Sequence, residues 1–494
     1  MGNKYFSKIL FLIVSLIFVS SGCKEGTISN SGNEEPPAET TGADAEKELL
    51  DATDLAGFDH DASLDYIDAK EQSSDEASAE QAGTDRDVDF EENGTKKACQ
   101  PLEKPTGKVV TVGPGQAGDL RSIVASAGQG TTIVLKDGLY LMDKGDNQSR
   151  LSFNVPGVTL RSESGDPGAV VLDGGYVTGE LVSIAASNVT IAELTLKRAY
   201  YHPIHITGTP DGNTISGVRI YRVRVIDPAE QGIKINPSSA GGFVDQGTVE
   251  CCHIELTGQG QKHVRNNCYT GGVDAHQARG WTIRSNTIIG FWCSQGLSEH
   301  GVHFWTGSRD TLVERNTILD CARGIGFGLG ENGAERHYKD NPYAGVGYIG
   351  HYDGIIRNNF IAAFSNDLFA SSSGFDSGIG LEQARGAKVV HNTIVSYKPP
   401  FSSIEWRFDN TLVLIANNLV SHNLRDRGGT ATLKGNIAEA KLDWFQSPAS
   451  GDLHIKAGVP PVDAGILLEP GLCDKDIDGQ ERDPAPDVGA DELQ

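Results

Sequence analysis

Residue types that move protons and carry charge recur at alternate positions of one short pattern: Lys234 and Asn236, Asp274 and His276, His303 and Trp305. Each pair belongs to a segment that alternates apolar and polar residues, beginning at Ile233, Val273 and Val302. Alternation at period two marks a half-buried strand, with the apolar set facing a core and the other set facing out. The pattern also begins at Ile204, Ile325, Ile379 and Ile404. That puts His205 and Thr207, Gly326 and Gly328, Gly380 and Glu382, and Glu405 and Arg407 on the same outward, water-facing side. If these strands stack, neighbours lie about 4.8 Å apart, and Lys, Asp, two His and a Trp form one site.

That set suits removal of a proton next to a carboxyl group, which needs a base and a cation to stabilise the enolate-like charge that develops. Lys234, Asp274, His276 and His303 are the candidate catalytic residues. His303, His276 or Lys234 can be the base. Lys234, Arg407 or a Ca²⁺ held by Asp274 can neutralise the carboxylate. His205, Asn236, Trp305, Glu382, Glu405 and Arg407 are candidate substrate contacts, with Trp305 stacking on a sugar ring and Gly326 and Gly328 leaving an open floor. The matching substrate is an acidic polysaccharide. Two alternatives use the same face. A non-catalytic glycan-binding or adhesive module needs no base. A glycoside hydrolase needs two carboxylates about 5 to 9.5 Å apart, for which Glu382 and Glu405 are the pair at hand.

The elements that position these residues are repeats. The clearest copies are Arg284-Ser285-Asn286-Thr287-Ile288, Glu314-Arg315-Asn316-Thr317-Ile318, Arg357-Asn358-Asn359-Phe360-Ile361 and Val390-His391-Asn392-Thr393-Ile394, with a weaker one at Ala416-Asn417-Asn418-Leu419-Val420. Val189–Leu194 and Val218–Val223 keep the alternation without the Asn. A unit of about 25 to 30 residues without helical periodicity is one coil of a parallel β-solenoid. Each coil then carries at least two aligned strands. The Asn column reads as a ladder of stacked amides, and Arg284, Glu314 and Arg357 as a stripe of alternating charge. Gln277-Ala278-Arg279-Gly280 returns as Gln383-Ala384-Arg385-Gly386 and supports the register. The uneven connections 237–271 and 329–352 are expected to wall a groove.

This pattern resembles the right-handed parallel β-helix superfamily, which includes pectate, alginate and chondroitin lyases. The resemblance covers about residues 105 to 445 and implies an all-β, single-stranded right-handed solenoid. By analogy, the substrate groove runs along one sheet face. A polysaccharide lyase cleaving a uronic-acid glycan by β-elimination is the favoured expectation.

Composition agrees. The 494 residues include 60 Gly and only 2 Met, which favours short strands and tight turns over a helical bundle. With 42 basic against 66 acidic residues the net charge is −24, which argues against nucleic acid or anionic lipid as a partner. Lys4 and Lys8, the apolar run 9–19 and Ser20-Ser21-Gly22-Cys23 resemble a bacterial lipoprotein signal, with Cys23 the lipidated residue and membrane anchor. By resemblance to Gram-negative lipoproteins, Lys24 after it, in place of Asp, implies the outer membrane or surface of a bacterial envelope. Residues 24–97 hold 22 acidic and 6 basic residues and read as a disordered, self-repelling tether. The expected domains are a signal at 1–22, an acidic linker at 23–97, the β-helix at 98–445 and a cap at 446–494, together forming a monomer. The tail Asp474-Lys475-Asp476-Ile477-Asp478-Gly479 resembles that of many secreted β-helix proteins. Asp474, Asp476 and Asp478 also begin a calcium-loop pattern, although Ala485 stands where its closing Glu would be. Seven cysteines besides Cys23 fit an oxidising compartment. Cys293 and Cys321, after equivalent strands, are the expected disulfide, and an odd count leaves one thiol free.

Overall fold

The computed structural model describes residues 99–265 and 268–494. The expected signal, the acidic linker and Cys23 lie outside the described residues. Strands recur in threes. In one coil they are Gly271–His276, Thr282–Arg284 and Thr287–Ile289. Each pairs in parallel with its counterparts one coil before and after: Gly271–His276 with Gln231–Asn236 and His300–Trp305, and Thr282–Arg284 with Thr248–Glu250 and Leu312–Glu314. Stacking builds two sheets of ten strands and one of 14, a parallel β-helix. The apolar residues that open the pattern, from Ile204 to Ile404, are all fully buried in its core. The helix Leu120–Ala125 buries Leu120 and Val124 against the first coils.

The Asn-containing repeat, which alternation alone reads as one strand, is two strands on different sheets. The residue before each Asn is left-handed: Ser285, Arg315, Asn358, His391 and Asn417 have φ between 51° and 55°. That conformation breaks the strand and turns a corner at a steric cost for any L-residue. The Asn ladder holds the corner in place. Nδ2 donates to the next Oδ1 from Asn286 to Asn316, Asn316 to Asn359 and Asn359 to Asn392 at 2.9 Å, and from Asn392 to Asn418 at 3.0 Å. Asn418 extends it to a sixth rung, Asn436, at 2.9 Å, which the pentads alone do not reveal. Each Oδ1 also accepts the backbone N–H of the preceding rung, as in Asn286 N–H to Asn316 at 3.0 Å. Beside it the charges alternate as expected, with Glu314 paired to Arg357 at 2.7 Å and to Arg284 at 3.7 Å.

The last ladder strand, Thr430–Lys434, is followed by an antiparallel pair, Phe445–Ser447 with Asp452–Ile455. This pair and the tail cover an outward apolar patch of the third sheet: Phe445, Leu453, Val488 and Ala490 pack on Phe360, Ala362, Val395 and Leu419. The three tail carboxylates are engaged separately. Asp474 accepts the Gly471 N–H, Asp476 accepts that of Gln480, and Asp478 meets His454 at 3.0 Å.

The disulfide expectation is corrected. The bonds are Cys99–Cys251 and Cys268–Cys293, and Cys252, Cys321 and Cys473 are three buried free thiols rather than one. Cys251 occupies the left-handed corner (φ 57°) and points outward to Cys99. Cys252 stands in the Asn column, its N–H donating to Asn286 Oδ1, and Cys321 is turned into the core. Among the described residues no helix is long and apolar enough to cross a membrane.

Asn359→Ala should cost about 2–4 kcal/mol, because buried donors on the neighbouring rung lose their acceptor. Urea unfolding measures it, and a loss below about 0.5 kcal/mol would show that the ladder does not hold the corners. Cys99→Ser opens a 152-residue span and should lower the unfolding midpoint, by up to about 4–5 kcal/mol in the chain-entropy picture.

Candidate functional site

Strand pairing sets the outward column. Lys234 lies opposite His205 on one side and Asp274 on the other, Asp274 opposite His303, and His276 opposite Trp305. At the centre is the Lys234 ammonium. Its Nζ lies 2.5 Å from the Tyr269 hydroxyl and 2.9 Å from His276 Nε2, and it donates to Asp274 Oδ2. The other Asp274 oxygen accepts the Trp305 indole N–H at 2.9 Å. Tyr269 carried no signal in the sequence, because its connection has no strand period. The Cys268–Cys293 disulfide next to it pins that connection beside Lys234.

Burial opposes the Lys234 charge, but Asp274 and Tyr269 outweigh it, so the ammonium is held above its ordinary value. Burial likewise opposes the Asp274 carboxylate, and Lys234 and His276 outweigh it and hold it well below the usual range. Burial pushes the Tyr269 hydroxyl up. Burial and then the Lys234 charge push the His276 imidazole down. Near neutral pH the centre therefore holds a charged ammonium, a carboxylate, a protonated phenol and a neutral imidazole. Next to it, His205 Nδ1 meets Glu180 at 2.5 Å and Nε2 meets Asn236 Oδ1 at 2.6 Å. Burial opposes both charges of that pair, yet His205 brings Glu180 down to about 2 and Glu180 raises His205.

The outward column is not the solvated face that alternation predicts. Asp274 is 1 % exposed, His303 0 %, Trp305 9 %, Glu382 7 %, Glu405 3 % and Arg407 6 %. The residues reaching solvent are His205, Asn236, Tyr269 and His276, with Lys234 (7 %) just beneath them. Trp305 is no open sugar platform, because its ring packs 4.4 Å from His276 and 5.1 Å from His303. His303 faces Glu299 at 2.9 Å and the Gly328 carbonyl at 3.2 Å. Asp274 has both oxygens engaged by Lys234 and Trp305, so it presents no ready Ca²⁺ seat.

The glycine floor is occupied. A Cβ at Gly326 would come within 2.6 Å of His300 Nε2, so Gly326 makes room for that imidazole and not for a glycan. Gly328 has φ +76° and a Cβ there would strike the Glu382 carbonyl. Glu382 accepts the Gly330 N–H at 2.5 Å and lies 3.9 Å from Arg407, while Glu405 pairs with Arg427 at 3.0 Å. Both glutamates line, with His300, Arg323 and Asp376, a cavity of about 10 Å³. That volume suits one water and not a sugar ring. The connection before Tyr269 folds down, with His263 stacked on Tyr176 at 3.8 Å. The connection after Phe327 is anchored by Arg336 on Asp245 at 2.6 Å.

No protein-family model matches the sequence, and no curated protein matches it. Among solved structures, pectate lyase Pel9A is similar at 16% identity, covering 79% of this chain and 97% of that one, with a TM-score of 0.47. An alginate lyase from Paenibacillus sp. str. FPU-7 is similar at 14% identity over 67% of this chain and 99% of its own (TM-score 0.43). PfbA, a surface adhesin of Streptococcus pneumoniae, is similar at 12% identity over 65% and 86% (TM-score 0.40). On its own strand pairing, the chain is a parallel β-helix protein.

Proposed function

We propose that the chain is a polysaccharide lyase that cleaves a uronic-acid glycan by β-elimination, with its centre at Lys234. One observation carries this reading: the charged Lys234 ammonium lies within hydrogen-bond reach of both a neutral imidazole, His276, and a protonated phenol, Tyr269, at the outer face of one sheet. The Lys234 ammonium faces the uronate carboxylate and stabilises the enolate-like charge. His276 takes the proton from the carbon α to that carboxyl group. The C–H electron pair becomes the new carbon–carbon double bond. The bond from the β carbon to the glycosidic oxygen breaks, and the Tyr269 hydroxyl protonates the departing oxygen. His205 and Asn236, half-buried on the same face, contact neighbouring sugars. In this scheme Lys234, not a calcium ion on Asp274, supplies the neutralising charge. In this reading the enzyme is attached to the bacterial cell envelope through a lipid on Cys23, of which the two disulfides support no more than an oxidising compartment. The burial of Asp274, His303 and Trp305 favours a second reading, a glycan-binding module in which the column is structural.

The test is ultraviolet absorbance of unsaturated product from alginate, polygalacturonate and chondroitin sulfate. Tyr269→Phe and His276→Gln should each lower kcat by about 10²–10⁴ with an unchanged melting temperature. Glycan retention without product, from wild type across the panel, would leave the binding module. Because His276 is held below its ordinary value, its neutral form persists as pH falls. The acidic limb of kcat against pH should therefore lie below about 6.5, and a limb above that value would remove His276 as the base.

A further inference from the structure

We infer that Glu299, His300 and His303 form a site for a divalent transition metal of the zinc class. Glu299 Oε2 lies 2.9 Å from His303 Nδ1 and 3.8 Å from His300 Nδ1. One ligand atom from each residue falls within 4.8 Å of the others. A tetrahedral zinc ion, with bonds of about 2.0–2.2 Å, spaces its ligands about 3.3 Å apart, which these separations bracket. Two imidazoles and a carboxylate are a donor set that zinc takes, with a fourth position left for water.

The three atoms also call for a ligand. All three side chains are buried, His303 fully, and none of Glu299 Oε2, His300 Nδ1 and His303 Nδ1 has an aligned hydrogen-bond partner. Buried polar atoms are rarely left in that state. One proton between His303 and Glu299 would satisfy two of them and leave His300 Nδ1 with only the long 3.8 Å approach to Glu299 Oε2. One divalent ion satisfies all three. The second shell is in place as well. His303 Nε2 lies 3.2 Å from the Gly328 carbonyl, which can only accept, so a metal-bound His303 would donate to it from Nε2 and ligate through Nδ1, the arrangement that orients a metal-bound imidazole. Residues three apart on a regular strand face opposite sides. His300 opens its strand as the chain leaves an irregular connection, and its ring comes to lie 4.3 Å from that of His303. The absent side chain of Gly326 makes room for it.

The site does not depend on the lyase reading, because its test uses no glycan. Full-length protein is stripped with a chelator, dialysed against zinc chloride, and its metal counted by mass spectrometry. One zinc per chain is expected. His300→Ala and Glu299→Gln should each weaken binding by at least about tenfold. Glu299→Gln keeps the side chain's size and serves if His300→Ala fails to fold. His454→Ala, which breaks the separate trio of His454, Asp478 and Asp491, should leave the stoichiometry unchanged. No zinc retained by wild type, full binding in Glu299→Gln, or loss of the zinc in His454→Ala would each overturn the assignment.

Discussion

In-register parallel pairing is the constraint on which everything else depends. Each strand of a coil has a partner about 4.8 Å above and below, so a residue's neighbours are set by coil position and not by sequence distance. Lys234 and Asp274 are 40 residues apart and share a charge-assisted hydrogen bond. Asn316 and Asn359 are 43 apart and share an amide hydrogen bond. The same rule produces an apolar stack inside, an amide ladder at one corner and a charged column outside.

The outward column shows what that rule does not settle. Outward from the core does not mean open to water. Sheet faces in a solenoid can be roofed by the connections between strands, and here Tyr269 and Glu299 come from such connections, with His300 opening the strand that follows. Roofing changes the chemistry. An exposed ion pair between Lys234 and Asp274 would contribute little. Buried, it must be closely matched, and the same burial pushes the Tyr269 hydroxyl up and, with the Lys234 charge, the His276 imidazole down. The glycines follow the same logic. Gly326 is small so that an imidazole can lie over it, not so that a glycan can.

The corners carry a strain that the ladder offsets. A left-handed Ser, Arg, His or Asn recurs before each Asn, in a conformation that ordinarily favours glycine. Each stacked amide takes three to five hydrogen bonds in return, and so the corner repeats with almost any residue in the strained place. Cys251 uses one such corner to reach Cys99, while its neighbour Cys252 sits in the ladder column. Adjacent cysteines therefore meet opposite fates.

The sequence by itself determined the solenoid, the register of the outward column, the Asn ladder and the stripe of alternating charge. Period-two alternation and repeated pentads are local signals, and parallel stacking copies them directly into space. It also brought Lys234, Asp274, His276 and His303 to one face. Only the tertiary structure decided which of them meet solvent, that Tyr269 completes the centre, that His300 fills the glycine floor, and which cysteines pair. Those outcomes depend on irregular connections, whose paths follow from packing and carry no period to read.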